Sequence, residues 1–176
     1  MTQLLVREAG PADVEAAAAL FDGYRQFYQF PSDIEACRAF LRERLAHGES
    51  RVFLAMEGAR AVGFMQLYPS FSSLSLRRVW ILYDLFVAPA ARRRGVARLL
   101  LQRAHALGVD TGASEVSLAT AIDNQAAQRA YERMGWVRAA EMKLPCSTTR
   151  TKMRVSLRSR AMGCSGRHGP IGPFTG

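Results

Sequence analysis

The chain has 176 residues, 49% of them apolar, with 24 Lys and Arg against 15 Asp and Glu for a formal net charge of +9. That length predicts one domain, and the apolar share supports a buried core and excludes wholesale disorder. Cys37, Cys146 and Cys164, with the scattered His47, His105 and His168, form no CxxC pair and no metal-ligand spacing, which excludes a disulfide scaffold and a zinc site and fits a reducing cytoplasm.

In chain order, Leu4–Glu8 reads as a short first strand, and Arg7 and Glu8 arrive before any long apolar run, so no signal peptide is predicted. Pro11 opens an amphipathic helix to about Tyr28, with Val14, Ala17, Ala18, Phe21 and Tyr24 on its apolar face. After Pro31, the spacing of Ser32 and Glu35 predicts a capping box, and a second helix runs to about His47, where Gly48 stops it. Arg51–Met56 and Ala61–Tyr68 read as a hairpin turned at Glu57–Arg60, followed by a serine-rich loop over Pro69–Leu76. The uncharged stretch from Ala61 to Leu76 is too short and too polar to span a bilayer. Val79–Val87 is a nearly continuous apolar run, predicted as a central strand buried on both faces.

The segment from Asp84 to Leu101, DLFVAPAARRRGVARLLL, is the most informative. A strand ends, a short loop carries Arg92, Arg93, Arg94, Gly95, Val96 and Ala97, and a helix to about Leu107 begins. Free N–H groups and the positive dipole end at a helix start make an anion site, and Gly95 lets backbone approach a ligand. A diphosphate fits such a loop. No GxxxxGK[ST] and no GxGxxG is present, which excludes a P-loop and a dinucleotide fingerprint.

Glu115–Ala119 follows as a strand, then a helix over Asn124–Met134, ended by Gly135 before a strand at Trp136–Val137. Asn124 is a good N-cap, and Ala127 and Tyr131 share a helix face. The Tyr131 phenol can donate a proton. Thr151–Leu157 alternates as a last strand would, and disorder is expected after Ser159. The basicity is concentrated late. Seven of the basic residues and none of the acidic ones lie from Lys143 onward, so residues 1–142 carry 17 basic against 15 acidic. The expected organisation is a domain over 1–142 and a basic segment over 143–176. The order of elements predicts an α/β fold with a mixed, mostly antiparallel central sheet and about four helices.

These residues together resemble the GNAT superfamily of N-acetyltransferases. The match rests on the [QR]xxGx[GA] loop (Arg92, Gly95, Val96, Ala97) after LFVAP at Leu85–Pro89, and on NxxAxxxYexxGW (Asn124, Ala127, Tyr131, Glu132, Gly135, Trp136). It spans roughly Leu4 to Val137. The position after Arg92, often glycine in this family, is Arg93 here. The resemblance implies a sheet splayed at its fourth strand, with acetyl-CoA as co-substrate and no metal. Leu85, Phe86 and Val87 would line the pantetheine arm, the Val87 N–H polarising the thioester carbonyl. Arg92, Arg93, Arg94, Gly95, Val96 and Ala97 would cradle the pyrophosphate. Asn124 and Ala127 would touch the cofactor, and Tyr131 would protonate the departing thiolate.

An amine acceptor must lose a proton before it attacks, and Asp84 on the central strand is the leading base candidate. Strand alternation sets Tyr83 and Asp84 on opposite sides, so only one of them faces the cleft. The polyamine acetyltransferases of this superfamily have a similar LxDxFV strand, and their residue matching Tyr83 contacts the acceptor. Tyr24, Tyr28, Phe30, Tyr68, Phe71 and Ser72 are expected to wall the acceptor. The partner is then a small-molecule or peptide amine, with homodimers common in the superfamily. No membrane is expected, and no RNP, KH, zinc-finger or helix-turn-helix pattern is present. Two other readings remain open: a non-catalytic acyl-CoA-binding module, and nucleic-acid binding through the basic tail.

Overall fold

The computed structural model describes residues 3–138 and 150–157. The chain runs β1 (Leu4–Glu8), a 3-10 turn (Pro11–Asp13), α1 (Val14–Phe27), α2 (Ile34–Ala46), β2 (Arg51–Glu57), β3 (Arg60–Ser72) and β4 (Arg77–Val87). It continues through a second 3-10 turn (Pro89–Ala91), α3 (Val96–Asp110), β5 (Glu115–Ala121), α4 (Gln125–Glu132), β6 (Val137–Arg138) and β7 (Arg150–Ser156). The strands form one sheet in the order β1-β2-β3-β4-β5-β7-β6. Among the described residues only the β4–β5 pair is parallel, as a strand–helix–strand crossover through α3 requires. This is the mixed, mostly antiparallel α/β fold the element order predicts.

Each sheet face buries its own core. On one, α3 lays Val96, Leu100 and Leu107 over Phe53, Met65, Leu67, Trp80 and Leu82. On the other, Ala17 and Ala18 of α1 and Leu41 of α2 cover Val52, Leu54 and Phe64. Strand β2 alternates between the two cores with no exposed interior residue, which is why its sequence reads as a continuous apolar run. Helix α3 seats closely because Gly63 faces it. A Cβ at Gly63 would lie 2.8 Å from Cγ1 of Val96.

Three details differ from the sequence expectation. Strand β3 continues through Pro69 to Ser72, so the turn is confined to residues 73–76. Past Leu67 the β2 partner has ended and β3 has β4 alone as neighbour, so a proline costs no ladder bond on the open side. The α2 cap is Asp33, whose carboxylate accepts the Ala36 N–H at 3.0 Å, and not Ser32. The Ser32 hydroxyl instead donates to Asp22 at 2.7 Å, a buried carboxylate that outcompetes the helix end for it. Strand β4 is not buried throughout: Trp80 and Leu82 are, whereas Tyr83 is 62% exposed.

Strand β7, drawn from the basic C-terminal segment, lies between β5 and β6 and pairs with β5 from Glu115↔Ser156 to Ala121↔Arg150. Leu157 then packs so tightly on α3 that a Cβ at Gly108 would fall 2.2 Å from its Cδ1. The disorder expected after Ser159 concerns residues outside the described ones. Among the described residues, no helix is long and apolar enough to cross a membrane, and no three His, Cys, Asp or Glu gather as metal ligands would.

Candidate active site

The site begins where the sheet opens. Pairing of β4 with β5 runs from Val79↔Glu115 to Leu82↔Leu118 and stops, while β4 continues to Val87 and β5 to Ala121. The register against β3 slips at the same place: Gln66 pairs with Asp84 and Leu67 with Leu82, leaving Tyr83 as the extra residue of a bulge. A bulge bends and twists its strand, which carries the end of β4 away from β5. The Ala88 N–H donates to the Val62 carbonyl at 3.0 Å. By strand alternation Phe86 then turns its amides to β3, while Leu85 and Val87 turn theirs into the opening.

At the mouth of the opening lies the loop before α3. Arg93 (φ 62°) and Gly95 (φ 83°) both adopt the left-handed region. Gly95 is the α3 N-cap, and a Cβ on it would meet nothing within 4 Å. Its glycine is therefore required by the backbone angle and not by crowding within the protein. The same argument explains why glycine suits the Arg93 position, where an L-residue costs about 1–2 kcal/mol. The α3 N-terminus carries no side-chain cap, so its first N–H groups are available to an anion.

The three arginines are not equivalent. Arg94 is held by Glu57. Nε of Arg92 donates to the Val87 carbonyl at 3.1 Å, and its guanidinium lies over the rings of Phe27 and Phe86. Arg93 remains exposed. The side chain of Val96 is buried against Gly63 and Ala97 faces out, so each offers this loop only its backbone.

Helix α4 closes the far wall. Oδ1 of Asn124 accepts the Ala127 N–H at 3.2 Å, the expected N-cap. Tyr131 packs against Trp136, with ring centroids 6.1 Å apart. Burial pushes its phenol up to about 12, with the neighbouring Tyr28 adding to the shift, so it keeps its proton at neutral pH. The resulting cavity is about 500 Å³ and is lined by Tyr83, Leu85, Phe86, Val87, Arg92, Asn124, Ala127 and Tyr131 among others.

The acetyltransferase (GNAT) family profile matches residues 17–136 of this sequence. The chain belongs to the GNAT family of acetyltransferases. It is 42% identical over 131 residues to YhfO of Bacillus subtilis (strain 168), an uncharacterized N-acetyltransferase, covering 74% of this chain and 88% of the relative. A crystal structure described as that of a probable acetyltransferase superposes with a TM-score of 0.75 at 43% identity, covering 82% of this chain and 99% of that one. The yncA acetyltransferase structure from Salmonella typhimurium, solved with its cofactor acetyl-CoA, shares the fold at a TM-score of 0.69 and 19% identity, covering 92% and 98% of the two chains.

The remaining sequence candidates divide sharply in this GNAT chain. Asp84 lies across from Tyr83, in a second cavity of about 370 Å³ lined by Phe21, Tyr24, Arg25, Tyr28, Phe30 and Asp84. The two cavities share Tyr24 and Tyr28. As alternation expects, the two face different sides: Tyr83 borders the larger cavity and Asp84 the smaller one. Burial raises the Asp84 carboxyl to about 6, partly opposed by a hydrogen bond from the Tyr24 hydroxyl. Tyr68 lines neither cavity; its ring stands behind Tyr83, edge to face at 5.3 Å. Phe71 and Ser72 are remote from both. Phe71 is exposed under the Arg78 guanidinium, and Ser72 takes the Ser75 N–H in the β3–β4 turn. Their expected place in the acceptor wall is corrected, because β3 carries them past the end of the sheet opening.

Sequence reasoning missed Phe21, Arg25 and Phe27 of α1, and Leu118 to Ala121 of β5, as wall residues. It also missed Asp22, which fixes the turn presenting Tyr28 and Phe30. Asp22 accepts from Gln26 and the Asp33 N–H at 2.8 Å each, and from Ser32. Burial alone would raise this carboxyl, but the bonds from Ser32, Asp33 and Gln26 outweigh it and hold it below the usual range. An acidic residue on the apolar side of a helix is the one sequence signal that could have found it.

Proposed function

We propose that this GNAT enzyme moves the acetyl group of acetyl-CoA directly to a primary amine within a ternary complex. The observation that carries the reading is the unpaired length of β4: the Leu85 and Val87 main chains face a cavity whose lining reaches the loop before α3 at Arg92. An extended amide-bearing arm can pair with that strand edge as a missing strand would, and its diphosphate can rest on the loop amides. The Arg92 contact with the Val87 carbonyl ties these two elements together. When bound, acetyl-CoA supplies the activated acyl group.

Asp84 takes the proton from the ammonium form of the acceptor. A carboxyl near 6 is ionised at neutral pH and still basic enough for the task. The Val87 N–H, which faces the opening, would polarise the thioester oxygen, and a single such donor is worth roughly 10²–10³ in rate. Tyr131 gives its phenolic proton to the sulfur as the C–S bond breaks, and its raised value keeps that proton in place until then. The nitrogen gives up two protons in all, one to Asp84 before it attacks and the second, as the amide forms, to the Tyr131 phenolate left when the thiol departs with that residue's proton; the acetyl carbon exchanges its C–S bond for a C–N bond.

A thiol-release assay with acetyl-CoA against amino acids, polyamines, aminoglycosides and lysine peptides tests the reading. Release with at least one amine is the expected result. Tight acetyl-CoA binding without release for any of them would instead make the chain a binding module. Nucleic-acid binding through a free basic arm is weakened by β7, which commits Arg150–Ser156 of that segment to the sheet.

A further inference from the structure

The smaller cavity is lined by one side chain of each charge, Asp84 and Arg25. Among the described residues no ion pair joins them, and the Asp84 carboxyl responds to burial and to Tyr24 but to no cation. Arg25 is also weakly engaged elsewhere. It stands 3.9 Å from Asp22, whose short bonds go to Ser32, Asp33 and Gln26, and 3.8 Å from the Cys37 sulfur. Its guanidinium lies 5.8 Å over the Phe30 ring. A guanidinium has five N–H donors in a planar fork, and these contacts leave most of them uncommitted.

The remaining walls are aromatic: Phe21, Tyr24, Tyr28 and Phe30. At about 370 Å³ the cavity is near the small end of the roughly 300–1,000 Å³ usual for small-molecule sites. A molecule with two or more ammonium groups would set one against Arg25. A molecule that carries an ammonium and a carboxylate together would answer both charges and lay its apolar body on the rings.

We infer that the acceptor is a small zwitterionic amine of the amino-acid class with an apolar body, its ammonium on Asp84 and its carboxylate on the Arg25 fork. The inference rests on the acetyl-transfer reading above and narrows its substrate away from polyamines. Because the two cavities share Tyr24 and Tyr28, an amine seated on Asp84 lies next to the cavity in which the acetyl group would be presented. Arg25 takes no part in the chemistry; it sets specificity.

The test compares each acceptor with its own neutralised twin. Thiol release is measured with L-phenylalanine, L-leucine and L-methionine, with the amides of the three, and with spermidine. The best free amino acid is expected to exceed its amide in kcat/KM by roughly tenfold or more, the size of a lost charge-assisted bidentate contact. Arg25→Gln brings that ratio close to one. The ratio is read within a single preparation, so partial misfolding of the variant cannot create or erase it. An amide or spermidine that matches or beats the free amino acids, or a preference that survives Arg25→Gln, overturns the inference. Calorimetry with the same compounds on the CoA-loaded protein separates the two levels. Amino acids that bind while their amides do not, without thiol release, would sink the catalytic reading and keep this one. Absence of binding by all three amino acids, with release from another amine, would do the reverse.

Discussion

The two cavities that meet at Tyr24 and Tyr28 are built from different material. The larger draws on main chain and small residues: the unpaired edge of β4 at Leu85 and Val87, Ala119, Ala121 and Ala127, with Arg92 linking it to the left-handed loop at Arg93 and Gly95. The smaller has side chains for walls, all of them on α1, on the turn after it, or at Asp84. A site made of backbone is disturbed by changes in chain geometry and tolerates many changes of side chain. A site made of side chains is rewritten by a single substitution. The first suits a ligand shared across a family, and the second suits one that differs between its members.

The sharpest way to break this contrast is Asp84→Asn. It should lower kcat/KM about 10²–10⁴-fold and leave acetyl-CoA affinity unchanged by calorimetry. In the wild type, kcat/KM should rise with pH through about 6, as Asp84 loses its proton. The variant should lose that inflection and keep only the rise due to the amine. A wild-type profile flat across pH 5–7 would remove Asp84 from the base role. Next in size, Tyr131→Phe should reduce kcat about 10²-fold with acetyl-CoA binding nearly intact; unchanged turnover would end its assignment as acid. On the backbone side, Gly95→Glu should weaken acetyl-CoA binding about 10–100-fold, from left-handed strain of about 1–2 kcal/mol and from charge placed against a diphosphate. Equal affinity by calorimetry would count against the loop.

The smallest effect is on stability. The folded Asp84 carboxyl is raised from 3.8 to about 6, so the native state holds its proton more tightly than the unfolded chain does. Wild-type stability should therefore fall as pH rises from about 4 to about 6, and the cost persists above that. Asp84→Asn removes the cost and should stabilise the fold by about 1–3 kcal/mol at pH 7.5. The gain should vanish near pH 4 in chemical denaturation. A variant less stable than the wild type at pH 7.5 would contradict the buried-charge account.

The contrast also governs how much was legible in the sequence. The cofactor side could be read because its parts are consecutive: a strand, a loop with Gly95, and a helix capped by Asn124 that presents Tyr131. Local periodicity and turn chemistry report such segments directly. The acceptor side could not be read so far. Arg25 and Phe21 look like ordinary helix positions until α1 is laid across the end of β4. Phe71 and Ser72 seemed suited to the acceptor wall because they follow Tyr68, yet β3 runs straight on and takes them away. The bulge at Tyr83 was expected from the family resemblance alone, since a slip of register leaves no mark on composition.

The placement of β7 between β5 and β6 has a consequence for biosynthesis. During translation, β1 to β4 can assemble while later residues are still in the ribosome. The outer edge of β5 has no such neighbour until Arg150–Ser156 has emerged, and β6 has nothing to dock on before then. Nascent chains halted upstream of residue 150 would expose that edge and be prone to intermolecular strand pairing.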